Sequence, residues 1–346
     1  MERKMRLVAA AIFALTLVLT ACQPQPATPV IQTQIVEKQV VETRVVTQEA
    51  PAKIKIGFIQ RTMTAPYYVA MWDTMSKMAV EQGFELVALN SNLDTATHAK
   101  QVEDLISAKV DGVVINAVDP GTEKDVDQAI IDAGIPLVFI DTYVEGMDVV
   151  AIVRSDNYTI GKEAGKMFAK RFEGKPIKML ILQGSPTDVA VGPDREKGFR
   201  DGLAEAGADV EVVATGYAQY NQQQGLSVTE DNLVAHPEIN AIFGYNDAMV
   251  LGALAALQAA NRTDVLVAGI DGQKEAFAEI AKGCDAQYVS SGLNSPVLAA
   301  QQSVDLLLKA ISGELPKSDW GKTVFTQAVG VDCSNIEDYY DPQSIF

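Results

Sequence analysis

The sequence predicts an α/β fold with two lobes, each built on a doubly wound parallel sheet. The chain has 346 residues, which is more than a single hydrophobic core usually serves. Short apolar runs alternate with longer amphipathic segments, and strands this apolar are typical of parallel sheets covered by helices on both faces. The alternating pattern stops and begins again near the middle of the chain, which indicates two successive βα arrays.

The first array begins near residue 53. We predict strands at 54–59, 85–89, 112–115, 137–140 and 149–153. The helices between the first four strands are predicted at 66–82, 95–108 and 122–133. Gly83 and Gly134 follow two of these helices, as expected for C-caps, and Pro136 comes shortly after.

The second array repeats the same alternation. Its strands are predicted at 179–182, 210–214, 241–243, 265–270 and 287–290. Its helices are predicted at 156–172, 191–206, 221–235, 247–260 and 274–282, and a last long helix at 295–311.

The N-terminus has the pattern of an export signal followed by a lipid anchor. A basic start precedes an apolar run over 7–19, which is shorter than the roughly 18 residues that span a bilayer. Leu19-Thr20-Ala21-Cys22 resembles the lipobox of bacterial lipoproteins, in which the cysteine is acylated. We predict a lipoprotein signal peptide at 1–21 and lipid attachment at Cys22. The alternative is an ordinary cleaved signal with an incidental cysteine.

Residues 22–52 contain four prolines and no glycine, and they are rich in Val, Thr, Gln and Glu. We predict a semi-extended tether, with a stray β-strand as the alternative. The net charge of the chain is −17, and removal of residues 1–21, which carry +2, leaves about −19. This strong negative charge argues against nucleic acid or an anionic lipid surface as a partner of the folded part of the chain.

Polar side chains follow most of the predicted strands, and ligands of open α/β sheets bind beyond the carboxyl ends of strands. We predict a binding site from the following residues: Arg61, Tyr67, Tyr68, Asn116, Asp141, Arg195, Tyr220, Asn246 and Asp271. Planar Asn, Asp and Arg groups form paired hydrogen bonds, and tyrosine offers an apolar face with a hydroxyl. A sugar or polyol has the matching surface. The alternative for a single Asn or Asp is a turn or an N-cap, and Asp247 has an N-cap position.

Seven short motifs follow one another along the chain. They are Ala-Pro-Tyr-Tyr-Val (65–69), Gly-Val-Val-Ile-Asn (112–116), Ile-Pro-Leu-Val-Phe-Ile-Asp (135–141), Ser-Asp-Asn-Tyr-Thr-Ile-Gly (155–161), Arg-Glu-Lys-Gly-Phe (195–199), Phe-Gly-Tyr-Asn-Asp-Ala-Met (243–249) and Gly-Ile-Asp-Gly (269–272). In this order and spacing the sequence resembles periplasmic binding proteins of the ribose/galactose type, over residues 53–340. The resemblance implies a type I fold, with two lobes that close on a ligand around a three-segment hinge.

The resemblance also implies lobe boundaries and roles. The first lobe is expected at 53–155 plus 292–325, and the second at 156–291 plus 326–346. Family aromatics that enclose the sugar ring match Tyr67, Tyr68 and Tyr220. Family residues that bond sugar hydroxyls match Asp141, Arg195, Asn246 and Asp271. Relatives have a glutamine near the hinge, and in this sequence it is replaced near Ser291. We therefore include Ser291 in the predicted site.

Other positions depart from the ribose-type pattern. Ala65 stands where relatives commonly have Asn, and Thr142 where they commonly have Arg. These changes keep the fold and argue against ribose itself as the ligand. Arg61 is an unexpected charge near the site. It could meet an acidic sugar or a cyclitol, pair with Asp73, or point to solvent.

Patterns for catalysis and metal binding do not occur in the sequence. There is no Gly-x-Ser-x-Gly elbow, Walker A loop, Gly-x-Gly-x-x-Gly fingerprint or EF-hand-like calcium loop. His98, on a polar helix face, and His236, before Pro237, are both expected at the surface. We predict no enzyme activity, no catalytic residue, no metal and no cofactor.

Two cysteines remain once Cys22 is assigned to the lipid. An exported protein meets an oxidising environment, so Cys284 and Cys333 are candidates for a disulfide that closes a loop of about 50 residues. The alternative is two buried thiols.

Together these features predict a monomeric, exported solute-binding protein, lipid-anchored at the cell envelope. It captures a monosaccharide or related polyol and delivers it to an ABC-importer permease, without a nucleic-acid partner. The alternative is a ligand receptor for chemotaxis or quorum-type sensing, whose sequence would look nearly the same. The export signal argues against a transcriptional repressor core. An enzyme that acts on a sugar is disfavoured, because the sequence offers no acid/base pair other than Asp141 and Asp271.

Overall fold

The computed structural model of the protein describes residues 53–186, 188 and 191–346. The predicted signal peptide, the lipid attachment at Cys22 and the tether lie outside the described residues. Within them, no helix has the length and apolar character needed to cross a membrane.

The first lobe is built on a six-stranded sheet. Its strands are β1 (Lys55–Gln60), β2 (Glu85–Asn90), β3 (Gly112–Ile115), β4 (Leu137–Ile140), β5 (Ala151–Arg154) and, near the end of the chain, β11 (Lys322–Phe325). They run in the order β11-β5-β4-β3-β1-β2, and every pair is parallel. Its helices are α1 (Pro66–Gln82), α2 (Thr95–Ser107), α3 (Lys124–Asp132) and α9 (Pro296–Ser312). Residues of α1 and α9 share one hydrophobic core with the sheet, and residues of α2 and α3 share another.

The second lobe repeats this plan. Its strands are β6 (Ile177–Gln183), β7 (Val210–Tyr217), β8 (Ala241–Gly244), β9 (Leu266–Asp271), β10 (Tyr288–Leu293) and β12 (Gly330–Asp332). Its helices are α4 (Asn157–Lys170), α5 (Val191–Glu205), α6 (Gln222–Ala235), α7 (Asp247–Ala259) and α8 (Lys274–Ile280). The order is β12-β10-β9-β8-β6-β7, and only the edge strand β12 of this sheet is antiparallel to its neighbour. The predicted fold class is confirmed.

Three chain segments connect the two lobes, each with a buried polar residue. Ser155 lies between β5 and α4, Asn294 between β10 and α9, and Thr326 between β11 and β12. Ser155 Oγ donates to Asn294 Oδ1 at 2.6 Å and lies 2.8 Å from Thr326 Oγ1. The three connections are therefore hydrogen-bonded to one another. Strand β10 continues to Leu293, so the second connection begins at Asn294.

Close contact between α4 and α5 fixes the helix that carries Arg195. A Cβ atom on Gly161 would lie 2.3 Å from the carbonyl oxygen of Arg195, and one on Gly198 would lie 2.0 Å from that of Tyr158. Real Cβ atoms do not approach a backbone this closely, so the two helices need glycine at these crossings. The sequence placed both helices correctly but gave no indication of this packing.

A disulfide joins Cys284, which follows α8, to Cys333, which follows β12, with the Cα atoms 5.1 Å apart. The bridge spans 49 residues of sequence. Replacing both cysteines by serine should lower the free energy of unfolding by about 3–4 kcal/mol, since the unfolded chain regains loop entropy. Urea unfolding measures this, and reduced wild-type protein should match the variant. Alkylation of both cysteines in denatured, unreduced protein would contradict the bridge.

Candidate ligand-binding cleft

A cavity of about 580 Å³ lies between the lobes, where the carboxyl ends of strands from both sheets meet. The first lobe contributes residues that follow β1 and β4, together with the start of α1. The second lobe contributes residues around the ends of β7, β8 and β9 and the start of α5, and Asn294 enters from the second connection. This position is the usual ligand site of doubly wound sheets.

Eight of the ten predicted site residues line this cavity. They are Arg61, Tyr67, Tyr68, Asp141, Arg195, Tyr220, Asn246 and Asp271. The structure does not bring Asn116 or Ser291 to it. The Asn116 side chain is fully buried, and its Nδ2 donates to Gln60 Oε1 at 2.9 Å. Ser291 is also fully buried, and its hydroxyl donates to the carboxylate of Asp247.

Arg195 and Asp271 form a buried ion pair at the second-lobe wall. Arg195 Nη1 lies 3.0 Å from Asp271 Oδ1, and both residues are less than 10% exposed. Arg195 also donates through Nε to Asn157 Oδ1 at 2.9 Å and through Nη1 to the carbonyl of Tyr245 at 2.7 Å. Asn294 Nδ2 donates to the same Asp271 oxygen at 3.0 Å. The pair is therefore held by fixed neighbours before any ligand arrives.

Several cavity residues have a left-handed backbone, which is costly for residues other than glycine. The φ angles are 62° at Asp141, 52° at Gln219, 54° at Tyr220 and 129° at Asp271. Aspartate tolerates the values near 60° better than most residues, but 129° belongs to a region that is nearly restricted to glycine. Strain of this kind concentrates at functional sites, where the surrounding structure compensates for it.

Burial raises the pKa of Asp271 to about 7, although Arg195 opposes the shift. The folded state therefore binds a proton between about pH 4 and 7 that the unfolded state has lost, so this group's contribution to stability falls as the pH rises through that range. We therefore expect wild type to gain unfolding free energy relative to Asp271→Asn when the pH is lowered from 8 to 5.

Urea unfolding at both pH values measures this difference. Asp264→Asn is a matched control, because the hydrogen bond from Arg262 lowers the pKa of Asp264 and its titration lies below this range. A difference for Asp271→Asn that stays constant from pH 5 to 8 would show that its carboxyl titrates normally.

Asp247 supports the loop that carries Asp271. Its buried carboxylate accepts from the backbone N–H groups of Gly272 and Gln273, both at 2.8 Å, and from the Tyr288 hydroxyl at 2.7 Å. The prediction that Asp247 caps α7 is wrong, because Asn246 is the N-cap and accepts from the N–H of Met249 at 3.0 Å. The carboxylate instead satisfies donors across the sheet, which local sequence spacing does not reveal.

Aromatic rings form the other walls. Tyr67 and Tyr68 open α1 and pack edge to face, with centroids 5.5 Å apart. Burial, with a smaller contribution from Asp141, raises the pKa of Tyr67 well above its ordinary value, and burial raises that of Tyr68 to about 12. Both phenols therefore stay protonated at neutral pH and can donate hydrogen bonds. On the facing lobe, the Tyr220 hydroxyl donates to Asp188.

Phe346 contacts one of the cavity tyrosines, which the sequence did not predict. The Phe346 ring meets the Tyr67 ring edge to face, with centroids 5.9 Å apart. Two residues earlier, the carbonyl of Ser344 accepts from Lys274 Nζ of α8 at 2.8 Å. The C-terminal segment thus contacts both lobes, and Phe346 packs against a cavity tyrosine.

Phe346→Ala should weaken ligand binding roughly three- to tenfold, because an edge-to-face pair contributes about 0.5–1.5 kcal/mol and Tyr67 regains freedom without it. Isothermal titration calorimetry measures the change. Ile345→Ala is the matched control, since the neighbouring Ile345 is 51% exposed and should leave affinity unchanged. Equal effects of the two variants would argue against the role of the Phe346 ring.

Arg61 lies along the first-lobe side of the cavity. Its Nη1 donates to Thr142 Oγ1 at 2.8 Å and its Nη2 to the carbonyl of Val118 at 3.3 Å. Asn294 also lines the cavity and was missed in the sequence. It directly follows β10, so a prediction that extended this strand by three residues would have found it by the strand-end rule.

Comparison with known proteins agrees with this geometry. A family model described as a periplasmic binding protein domain matches residues 56–315. The ribose import binding protein of Salmonella typhimurium is 32% identical over 269 residues, which cover 78% of this chain and 88% of that protein.

Two solved structures are similar as well. An ABC transporter solute binding protein from Mycobacterium smegmatis with bound glycerol shares 32% identity at a TM-score of 0.75, covering 85% of this chain and 99% of that one. A solute binding protein from Bacillus halodurans with bound myo-inositol shares 26% identity at a TM-score of 0.72, covering 83% and 97%. The family model spans more than half of the chain, and the two-lobed fold and its cleft agree with it. The chain therefore belongs to the periplasmic binding protein family, among the solute-binding proteins of ABC importers for sugars and polyols.

Proposed function

We propose that this protein binds a monosaccharide or related polyol in the cleft and delivers it to the permease of an ABC importer. We further propose that it is exported and held at the cell envelope by a lipid on Cys22. The lipobox-like sequence at 19–22 supports the anchor. Cys22→Ala should move the protein from the membrane fraction to the soluble fraction, and unchanged membrane association would contradict it.

One observation carries the proposal: the cleft combines tyrosine faces with planar hydrogen-bonding groups from both lobes. Tyr67 and Tyr68 would pack against the C–H face of a ring, with Tyr220 opposite. The hydroxyls would be bonded by the remaining polar residues, namely Asp141, Arg195, Asn246, Asp271 and Asn294. A buried ligand hydroxyl left unpaired costs about 1–3 kcal/mol, so dense pairing gives selectivity.

The cavity volume of about 580 Å³ is in the usual range for small-molecule sites. Residues from both lobes line the cavity. A ligand that bonds to both lobes would have a higher affinity for the closed arrangement than for the open one, and would therefore favour closure. A micromolar dissociation constant corresponds to a binding free energy of about −8 kcal/mol. Part of these contacts is enough to supply it.

Arg61 compensates for one departure from the ribose-type pattern. Ribose-like relatives commonly carry Arg at the position of Thr142, and here the Arg61 guanidinium reaches that position from the end of β1, 2.8 Å from Thr142 Oγ1. The cleft therefore keeps a positive donor beside Asp141. This arrangement fits a neutral pentose or polyol without requiring an acidic ligand.

Calorimetry against a panel of pentoses, hexoses and polyols is the direct test. We expect one class to bind in a 1:1 ratio with a micromolar or lower dissociation constant. A folded protein that gives no heat with any member of the panel would contradict the proposed function.

A further inference from the structure

Three ionisable side chains form a buried cluster between α2 and α3, apart from the residues that line the cleft. His98 lies on α2, Glu123 directly precedes α3, and Asp127 lies in the first turn of α3. Their exposed fractions are 0%, 2% and 0%. The prediction that His98 lies at the surface is wrong. Its partner Asp127 is 29 residues away in the sequence, so local pattern gave no sign of the pairing.

The side chains converge, but they satisfy only part of one another's hydrogen-bonding capacity. One candidate ligand atom from each lies within 4.8 Å of the other two. His98 Nε2 is 2.7 Å from Asp127 Oδ1 and 4.0 Å from Glu123 Oε2. The opposite atoms, His98 Nδ1, Glu123 Oε1 and Asp127 Oδ2, are buried without a hydrogen-bond partner. Among the described residues only two other side-chain atoms share this condition, on Arg61 and Gln302, so three of five such atoms belong to one cluster.

The cluster also has too little positive charge to balance its two carboxyl groups. In the described part of the chain, the ion pairs of Glu123 and Asp127 involve His98 alone. Two buried carboxylates thus face at most one positive charge. A buried carboxylate requires a partner, and a divalent cation beside a neutral imidazole would balance both.

We propose that His98, Glu123 and Asp127 form a binding site for a divalent metal ion of the Zn²⁺ class. Zn²⁺ binds imidazole nitrogen and carboxylate oxygen at 2.0–2.2 Å, which places ligand atoms about 3.3 Å apart in a tetrahedral site. The distances from His98 Nε2 to the Asp127 and Glu123 oxygens, 2.7 and 4.0 Å, lie on either side of this value. Small side-chain rotations would therefore bring the three atoms to the spacing of a tetrahedral site. Glu123 and Asp127 are four residues apart and project from one side of the start of α3, whereas His98 approaches from α2.

Such an ion would link α2 to α3 and, through Glu123, to the loop that contains Val118. The N–H of Val118 donates to Glu123 Oε2 at 3.0 Å, and the carbonyl of Val118 accepts from Arg61. The side chains are buried and do not line the cleft, so the ion would act on the stability of the first lobe.

Zn²⁺ alone, added to chelator-treated and dialysed protein, tests the proposal. We expect 1:1 binding by calorimetry and a rise in Tm of roughly 5 °C at a hundredfold excess over the dissociation constant. His98→Gln should abolish both effects. His236→Gln is the matched control, because the chain has only two histidines and His236 lies at the surface beside Glu238. Absence of Zn²⁺ binding to wild type, or equal binding by His98→Gln, would overturn the site.

NMR of histidine-labelled wild-type protein covers the case in which His98→Gln does not fold. With two histidines, each imidazole gives its own signals, assigned through the His236→Gln variant. Zn²⁺ should shift the His98 signals and leave those of His236 in place. Shifts confined to His236, or no shift at all, would overturn the proposal.

Discussion

Asp141→Asn should weaken ligand binding roughly 30- to 100-fold while leaving the Tm nearly unchanged. Hydrogen bonds to a charged group contribute about 1.5–3 kcal/mol, and the amide loses the charge and one acceptor. Among the described residues, the side-chain hydrogen bonds to the Asp141 carboxylate are long, from the Tyr67 hydroxyl at 3.3 Å and from Thr142 Oγ1 at 3.4 Å. Its carboxylate is therefore free for a ligand, and the fold does not depend on it.

The choice of asparagine matters because φ at Asp141 is 62°. Asparagine tolerates this left-handed backbone, whereas alanine would add strain to the loss of the carboxylate. Asp148→Asn, at an exposed position of the same lobe, is the matched control and should bind like wild type. Calorimetry with the tightest-binding panel member measures the effect. Unchanged affinity of Asp141→Asn would remove this residue from the site.

Arg195→Ala should abolish detectable binding and also lower the free energy of unfolding by about 3–5 kcal/mol. The guanidinium donates to Asn157, to the carbonyl of Tyr245 and to the buried Asp271, and its removal takes this donor away from all three acceptors. The variant thus combines a loss of ligand contact with the cost of buried acceptors that lose their donor. Calorimetry and urea unfolding measure the two effects separately.

A double variant separates these causes. Arg195→Met with Asp271→Asn removes both members of the buried pair, so the share of the stability loss that comes from Asp271 should return while binding stays absent. Arg200→Ala is the control on the same helix, because its side chain is 55% exposed and its pair with Glu196 should contribute less than about 0.5 kcal/mol. If Arg195→Ala were as stable as Arg200→Ala, the buried pair would not have the role described.

The fold was predictable because its signals are local. Helix α1 begins at Pro66 and ends before Gly83, which has the left-handed φ of 78° that a C-cap requires, so both ends were visible in the sequence. The buried strands β3 and β4 coincide with four-residue apolar runs. Strands β11 and β12 were missed, since each has three or four residues and lies at the edge of a sheet built from distant sequence.

The candidate site was predictable only in part, for the same reason. The strand-end rule identified Asp141 and Asp271, because it depends on position along the chain. It also selected Asn116, whose side chain is bonded to Gln60 and does not line the cavity. Asp247 and Phe346 act through contacts with residues far away in sequence, and no local spacing reports such contacts.

A crystal structure with the tightest-binding panel member tests the central claim most directly. We expect one ligand in the cleft, with its ring against Tyr67 or Tyr68 and its hydroxyls within hydrogen-bond distance of Asp141 and Arg195. A ligand bound elsewhere, or one in the cleft that contacts neither of these two charged groups, would contradict the account.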